Sequence, residues 1–183
     1  MSVTPQRLRD FLDRAGDAVL VEVVEALGST PREAGAWMVV SAADALGTIG
    51  GGQLEFLCMA RARESLALGE GVAALDIPLG PEIGQCCGGR VSVSLQRIDD
   101  ETAKMLRERA VRERALQTAV YVFGAGHVGN ALGQALSLLP FRALLVDNRA
   151  EEIAKVPPGV EAKHVAVQEA VVRYWEAVAP AEA

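Results

Sequence analysis

The chain is short of the residues that most often carry chemistry. Only two of its 183 residues are histidine and three are cysteine, and aromatics make up 4%. Two histidines and no Cys-x-x-Cys spacing argue against a zinc site of the usual kinds. An odd cysteine count with no secretory leader argues against a disulfide framework and points to a reducing cytoplasm. The opening residues, MSVTPQRLRDFLDRAGD, are charged and have no apolar centre, so they do not read as a signal peptide. The most apolar run, 131–146, is interrupted by Pro140 and Arg142, so no membrane span is expected. A basic run is missing as well. The formal net charge is −6 and the isoelectric point is near 5.0, which leaves no surface suited to nucleic acid.

What is present describes a folded α/β protein. Half the residues are hydrophobic and 23% are charged. Thr4 and Pro5 read as the N-cap and first residue of a helix ending near Gly16. Strands are expected at 18–26, 36–41, 47–49, 72–79 and 90–98, with 42–46 as a turn. Gly50, Gly51 and Gly52 open a helix over 53–68, whose Leu54, Cys58, Ala62 and Leu66 form an apolar stripe. The segment 99–117 is highly charged and reads as a solvated linker helix. It divides an N-terminal α+β unit, 1–98, from a C-terminal unit, 118–183. The second unit reads as a strand at 119–123, a helix at 126–139, a strand at 143–147, a further strand at 162–167 and a helix at 168–178. That is a partial Rossmann-like βαβ unit. Three strands alone would leave Val120, Val122, Leu144 and Val146 to be covered, because parallel strands are buried on both faces, and a homodimer is the expected remedy.

Two stretches carry candidate chemistry. In VFGAGHVGN, Gly124, Gly126 and Gly129 follow a strand and precede a helix, and Asp147 ends the next strand. Such glycines permit a tight turn, the approach of a pyrophosphate and close helix packing, and the acid can accept from ribose hydroxyls. His127 is either a polar filler of that turn or a side chain facing a ligand. In LGPEIGQCCGG, Cys86 and Cys87 sit among glycines rather than in a periodic apolar segment. They fit the small-hydrophobe role of a buried cysteine less well than Cys58 does. Gly88 and Gly89 free backbone N–H groups that could stabilise a thiolate. The triplet Gly50–Gly52 reads either as an anion-ready helix start or as a tight connection needing positive φ. Arg32, in GSTPREAG, reads as a phosphate contact or as an ordinary loop charge.

Taken in order, GSTPREAGAWMVV, GTIGGGQLE, LGPEIGQCCGGRVSV and YVFGAGHVGNAL make residues 17–149 resemble the xanthine dehydrogenase accessory family, XdhC/CoxI. GQCCGG and GGGxLE resemble the XdhC branch; the CoxI branch reads SGGCVE at the second element, where this chain has Gln53. The resemblance implies a chaperone rather than an enzyme. It implies a protein that binds the molybdenum cofactor (molybdopterin), keeps it for sulfuration by a cysteine desulfurase and helps insert it into apo-xanthine dehydrogenase. It implies Cys86 and Cys87 as ligands of a thiophilic metal or as sulfur-handling groups, with Gly50, Gly51, Gly52, Gln53 and Arg32 around the pterin and its phosphate. An NAD(P)-dependent oxidoreductase using Gly124, Gly126, Gly129 and Asp147 is the alternative from another class, and a non-catalytic structural partner is the third.

Overall fold

The computed structural model describes residues 3–81, 84, 87–157, 159–166, 169 and 171. Among them the elements run α1 (Pro5–Ala15), β1 (Ala18–Leu27), β2 (Trp37–Ser41), β3 (Ala45–Gly47), α2 (Gly52–Leu68), β4 (Val72–Pro78), β5 (Arg90–Arg97), α3 (Asp100–Leu116), β6 (Thr118–Phe123), α4 (His127–Ser137), β7 (Phe141–Asp147), α5 (Ala150–Ile153) and β8 (Glu161–His164). The chain forms two compact units, Val3–Val111 and the residues from Arg112 onward.

The first unit is an antiparallel sheet in the order β3-β2-β1-β5-β4. β1 is central, which explains its valine-rich run without alternation. Val19, Val21 and Val23 point to one face, where Leu54, Cys58 and Ala62 of α2 meet them. Ala18 and Leu20 point to the other, into a cluster of Leu8 and Phe11 from α1 with Leu106 and Ala110 from α3. So α3 is not simply solvated. It buries Thr102, Ala103, Leu106 and Ala110 beneath its charges. At the start of α1, Thr4 caps as its sequence suggests, its hydroxyl accepting from the Arg7 N–H at 3.2 Å.

One strand is displaced from its expected position. β3 is Ala45–Gly47 rather than 47–49, because Ser41 and Asp44 close the preceding turn through backbone and side-chain hydrogen bonds. This releases Thr48 and Ile49 to form the entrance to α2.

The second unit is a three-stranded parallel sheet, β6-β7-β8, with α4 and α5 as its crossovers. It therefore contains a βαβαβ succession. The four-residue α5, which has no periodicity to announce it, supplies the second crossover. Burial on both faces holds at the end of the central strand, where Leu145 and Val146 are buried, whereas Leu144 of that strand and Val120 and Val122 of β6 are half-buried. Helix α4 stops at Ser137, short of 139, and β8 spans Glu161–His164. Most of the helix expected over 168–178 lies outside the described residues.

Candidate functional site

Two other loops of the first unit dock on the loop from β1 to β2. The loop from β1 to β2 carries Gly28–Gly35. The connection from β3 to α2 carries Gly50–Gly52, and the connection from β4 to β5 carries Cys87–Gly89. Their contacts leave little freedom. A Cβ at Gly50 would lie 2.8 Å from Pro31 Cβ, and one at Gly89 would lie 2.6 Å from the Leu27 carbonyl oxygen. These are closer than real Cβ contacts, so both glycines are demanded by the docking of one loop on another. The cysteine loop is closed by the Gly88 N–H donating to the Leu79 carbonyl and the Leu79 N–H donating to the Gly89 carbonyl, both at 2.8 Å.

Residues singled out by the sequence fall into place unevenly here. Arg32 is exposed and has neither a hydrogen-bond nor an ion-pair partner among the described residues. It lines, with Pro31 and Glu33–Ala36, a cleft of about 440 Å³. That volume lies in the usual range for small-molecule pockets. Cys87 is half-buried and rests against the core. Cys86 lies outside the described residues. Cys58 is fully buried, as its place on the α2 stripe suggests, and burial, with the Glu55 charge second, pushes its thiol up to about 12. It is a core residue rather than a reactive one.

The glycine triplet adopts φ values of +131°, +82° and +62°, so the tight-connection requirement is real. Its N–H groups are only partly available. Glu55, in the first turn of α2, reaches back and accepts from the Ile49 and Gly51 N–H groups, each at 2.9 Å, and from the Thr48 hydroxyl. The Gly50 N–H donates to Thr48 Oγ1 at 3.2 Å. The helix start thus carries its own anion. The N–H groups of Gly52 and Gln53, both exposed, carry no hydrogen bond among the described residues. Sequence reasoning missed Glu55 as part of the site. Its spacing in GGGQLE, one residue beyond a capping-box glutamate, was the available signal.

The second unit has its own candidate site. Gly124 has φ +108°, and a Cβ at Gly129 would lie 2.9 Å from the Gly124 carbonyl carbon and closer still to its oxygen. α4 therefore sits as near to the turn as a glycine allows. Asp147 is 2% exposed. Its Oδ2 accepts from the Ala125 N–H at 2.7 Å and from Arg149 Nη2 at 2.8 Å. Its Oδ1 accepts from the Arg149 N–H at 2.9 Å and Nε at 3.0 Å. The Arg149 guanidinium and the Ala125 N–H hold its carboxyl well below the usual carboxylate range. His127 is exposed in the first turn of α4, and a cleft of about 390 Å³ runs along this turn.

Among the described residues no three His, Cys, Asp or Glu side chains gather as a metal cluster, and no helix is long and apolar enough to cross a membrane.

Comparison with known proteins bears on the first unit most directly. Residues 11–76 match the sequence model of the XdhC and CoxI family. YqeB of Escherichia coli (strain K12) is 29% identical over 140 residues, covering 73% of this chain and 22% of YqeB, so the chain corresponds to about a fifth of that relative. A crystal structure described as a xanthine dehydrogenase from Bacillus halodurans superposes with a TM-score of 0.73 at 17% identity, over 94% of this chain and 70% of the other. At that identity the likeness is one of fold. The segment 11–76 holds β1, the Arg32 loop, the glycine triplet and Glu55, while the Cys87 loop lies beyond it. Through that segment the chain is similar to the XdhC and CoxI family.

Proposed function

We propose that the chain takes part in the maturation of a xanthine-dehydrogenase-type enzyme by holding a molybdenum cofactor of the molybdopterin type. The observation that carries this reading is the docking of the Gly50–Gly52 and Cys87 loops on the Arg32 loop through glycines that tolerate no side chain. The donor set suits such a cofactor. Cys87, with Cys86 beside it in the chain, offers soft sulfur to a thiophilic metal. Arg32 is an exposed cation with no partner among the described residues, in a cleft of suitable size, fit for a phosphate. The N–H groups of Gly52 and Gln53 add donors, while Glu55 repels an anion from the inner part of the turn. Bound there, the cofactor would supply the metal chemistry, and the protein would bind and shield it. The role is that of a carrier rather than a catalyst.

In the same reading the partners are an apo-xanthine dehydrogenase, which receives the cofactor, and a cysteine desulfurase, which sulfurates it. The compartment is the cytoplasm and the working form is a homodimer. The test is to isolate the full chain from cells that make the cofactor and assay it for molybdenum and for oxidised-pterin fluorescence. Stoichiometric molybdenum and pterin that vanish in the Cys86→Ala/Cys87→Ala double variant, with melting unchanged, support the proposal. Absence of both from the wild-type protein refutes it, as does their retention by the double variant.

A further inference from the structure

The turn Gly124–Gly129 contains a glycine that the protein itself does not require. Gly124 needs its positive φ, and Gly129 has no room for a Cβ. Gly126 differs. Its φ of −71° is open to any residue, and a Cβ there would meet nothing nearer than Arg149 Nη2 at 3.7 Å, an ordinary contact. The missing side chain leaves a gap between the start of an 11-residue helix and a guanidinium. The N–H groups of Gly126, His127 and Val128 carry no hydrogen bond among the described residues and stand at the positive end of that helix.

The acid at the tip of β7 is arranged unlike an acid that reads a ribose. A carboxylate has about four acceptor positions, and Asp147 fills all four from within the protein. Two ribose hydroxyls brought to it would find no acceptor. Arg149 is the group that occupies those positions. Its Nε and one Nη2 hydrogen are spent on Asp147, which leaves further guanidinium N–H groups in a side chain that is 51% exposed. The nearest competing acids follow it in the chain; Glu152 is bonded to Lys155 Nζ at 2.8 Å, and Glu151 is exposed. Next to the turn, Val122, Phe123, Val128 and Leu132 line the cleft and offer apolar surface to a flat base.

We propose that this turn binds the adenosine end of a dinucleotide whose ribose carries a 2′-phosphate. Arg149 selects that phosphate, and Asp147 is the positioning residue that holds Arg149 across the gap at Gly126. The diphosphate takes the free N–H groups at the start of α4. The ribose phosphate takes the remaining guanidinium donors, a paired arrangement that arginine makes well. This is a second site, in the second unit, and it does not rest on the cofactor reading of the first.

The test is calorimetric titration of the full chain with NADP⁺, NAD⁺, 2′,5′-ADP and 3′,5′-ADP. NADP⁺ and 2′,5′-ADP are expected to bind at least about tenfold more tightly than NAD⁺ and 3′,5′-ADP, the effect of one charge-assisted contact. Arg149→Ala is expected to erase that preference while NAD⁺ binding holds or improves, since the Asp147 oxygens are uncovered. Arg149→Lys is expected to keep part of it. Replacing Cys86 and Cys87 by alanine should leave the preference intact. Equal or tighter binding of NAD⁺ overturns the proposal, as does the failure of all four nucleotides to bind at millimolar concentration. Because the wild-type comparison decides the matter, the proposal stays testable even if the Arg149 variants fold poorly.

Discussion

Both units begin a helix on a glycine turn, and both bring a carboxylate to that turn, but they fetch it from different distances. In the first unit Glu55 comes from the helix it serves and bonds N–H groups four and six residues back. In the second, Asp147 comes from the tip of the next strand and bonds the Ala125 N–H across 22 residues of sequence. The local carboxylate needs nothing but the helix. The distant one fixes a strand end to a turn and brings Arg149 with it. The first turn is completed mainly by its own residues, so its ligand-binding capacity rests on neighbouring loops. The second turn has an arginine built into it, so its capacity rests on that arginine.

The comparison can be broken most severely at the glycines. Gly129→Ala is expected to destabilise the second unit by about 3 kcal/mol or more, because the Gly124 carbonyl it strikes is backbone. Gly126→Ala, three residues earlier, is expected to cost less than about 1 kcal/mol, as its Cβ would reach only the end of a flexible side chain. Chemical denaturation of the two variants checks the contrast. If they prove equally damaging, the account of Gly126 as a place kept open for a ligand loses its basis.

Next in size is the distant carboxylate. Asp147→Ala leaves the Ala125 N–H unpaired and frees the Arg149 guanidinium, an expected loss of about 3 kcal/mol. The pH dependence follows from its depressed pKa. In the folded protein Asp147 gives up its proton more readily than in the unfolded chain. Its contribution is therefore fully present above the unfolded value of about 4 and is lost as pH falls below that range through the folded value. Urea midpoints measured from pH 7 down to pH 2 should converge between wild type and Asp147→Asn at the acid end. Parallel curves would contradict the assignment.

The local carboxylate should matter less. Glu55→Gln keeps an oxygen acceptor but loses its charge at a helix start, an expected cost of about 1 kcal/mol. It should also ease the ionisation of Cys58 slightly, since burial raises that thiol first and Glu55 adds to it. Alkylation of Cys58 in the folded protein should remain slow in both forms and Cys87 should react first, because Cys58 is fully buried and Cys87 only partly so. Faster labelling of Cys58 than of Cys87 would reverse the roles assigned to them.

The two units were unequally legible in the sequence. The Gly124–Gly129 turn, its flanking strand and helix and the α2 stripe follow from short-range periodicity and glycine spacing, and they stand where those signals put them. α5 escaped notice because four residues show no period, and β3 was misplaced because side-chain bonds at Ser41 and Asp44 set its start. The saturation of Asp147 could not be read at all. An aspartate at a strand tip looks the same whether its oxygens face a ribose or an arginine two residues on, and only the geometry tells them apart. The docking of two loops on a third in the first unit is likewise a long-range fact. Gly89 and Leu27 are far apart in sequence, and nothing local marks their contact.

The smallest expected effect on stability, and the one that best sharpens the contrast between the units, is Arg32→Ala. Arg32 is exposed and has no partner among the described residues, so its removal should change the folding free energy by no more than about 0.5 kcal/mol. Arg149 is tied to a buried carboxylate, and replacing it disturbs the fold and the ligand site together. If Arg32 serves a phosphate in the first unit, its loss should lower pterin retention while the melting curve stays put, and Arg32→Lys should restore part of the binding because a point charge still attracts a phosphate. Pterin fluorescence of the isolated protein reads the binding and thermal unfolding reads the stability. A variant that keeps its pterin would show that the arginine is an ordinary loop charge. A variant that loses pterin and melts early would show that the loop, rather than the charge, was what the cofactor required.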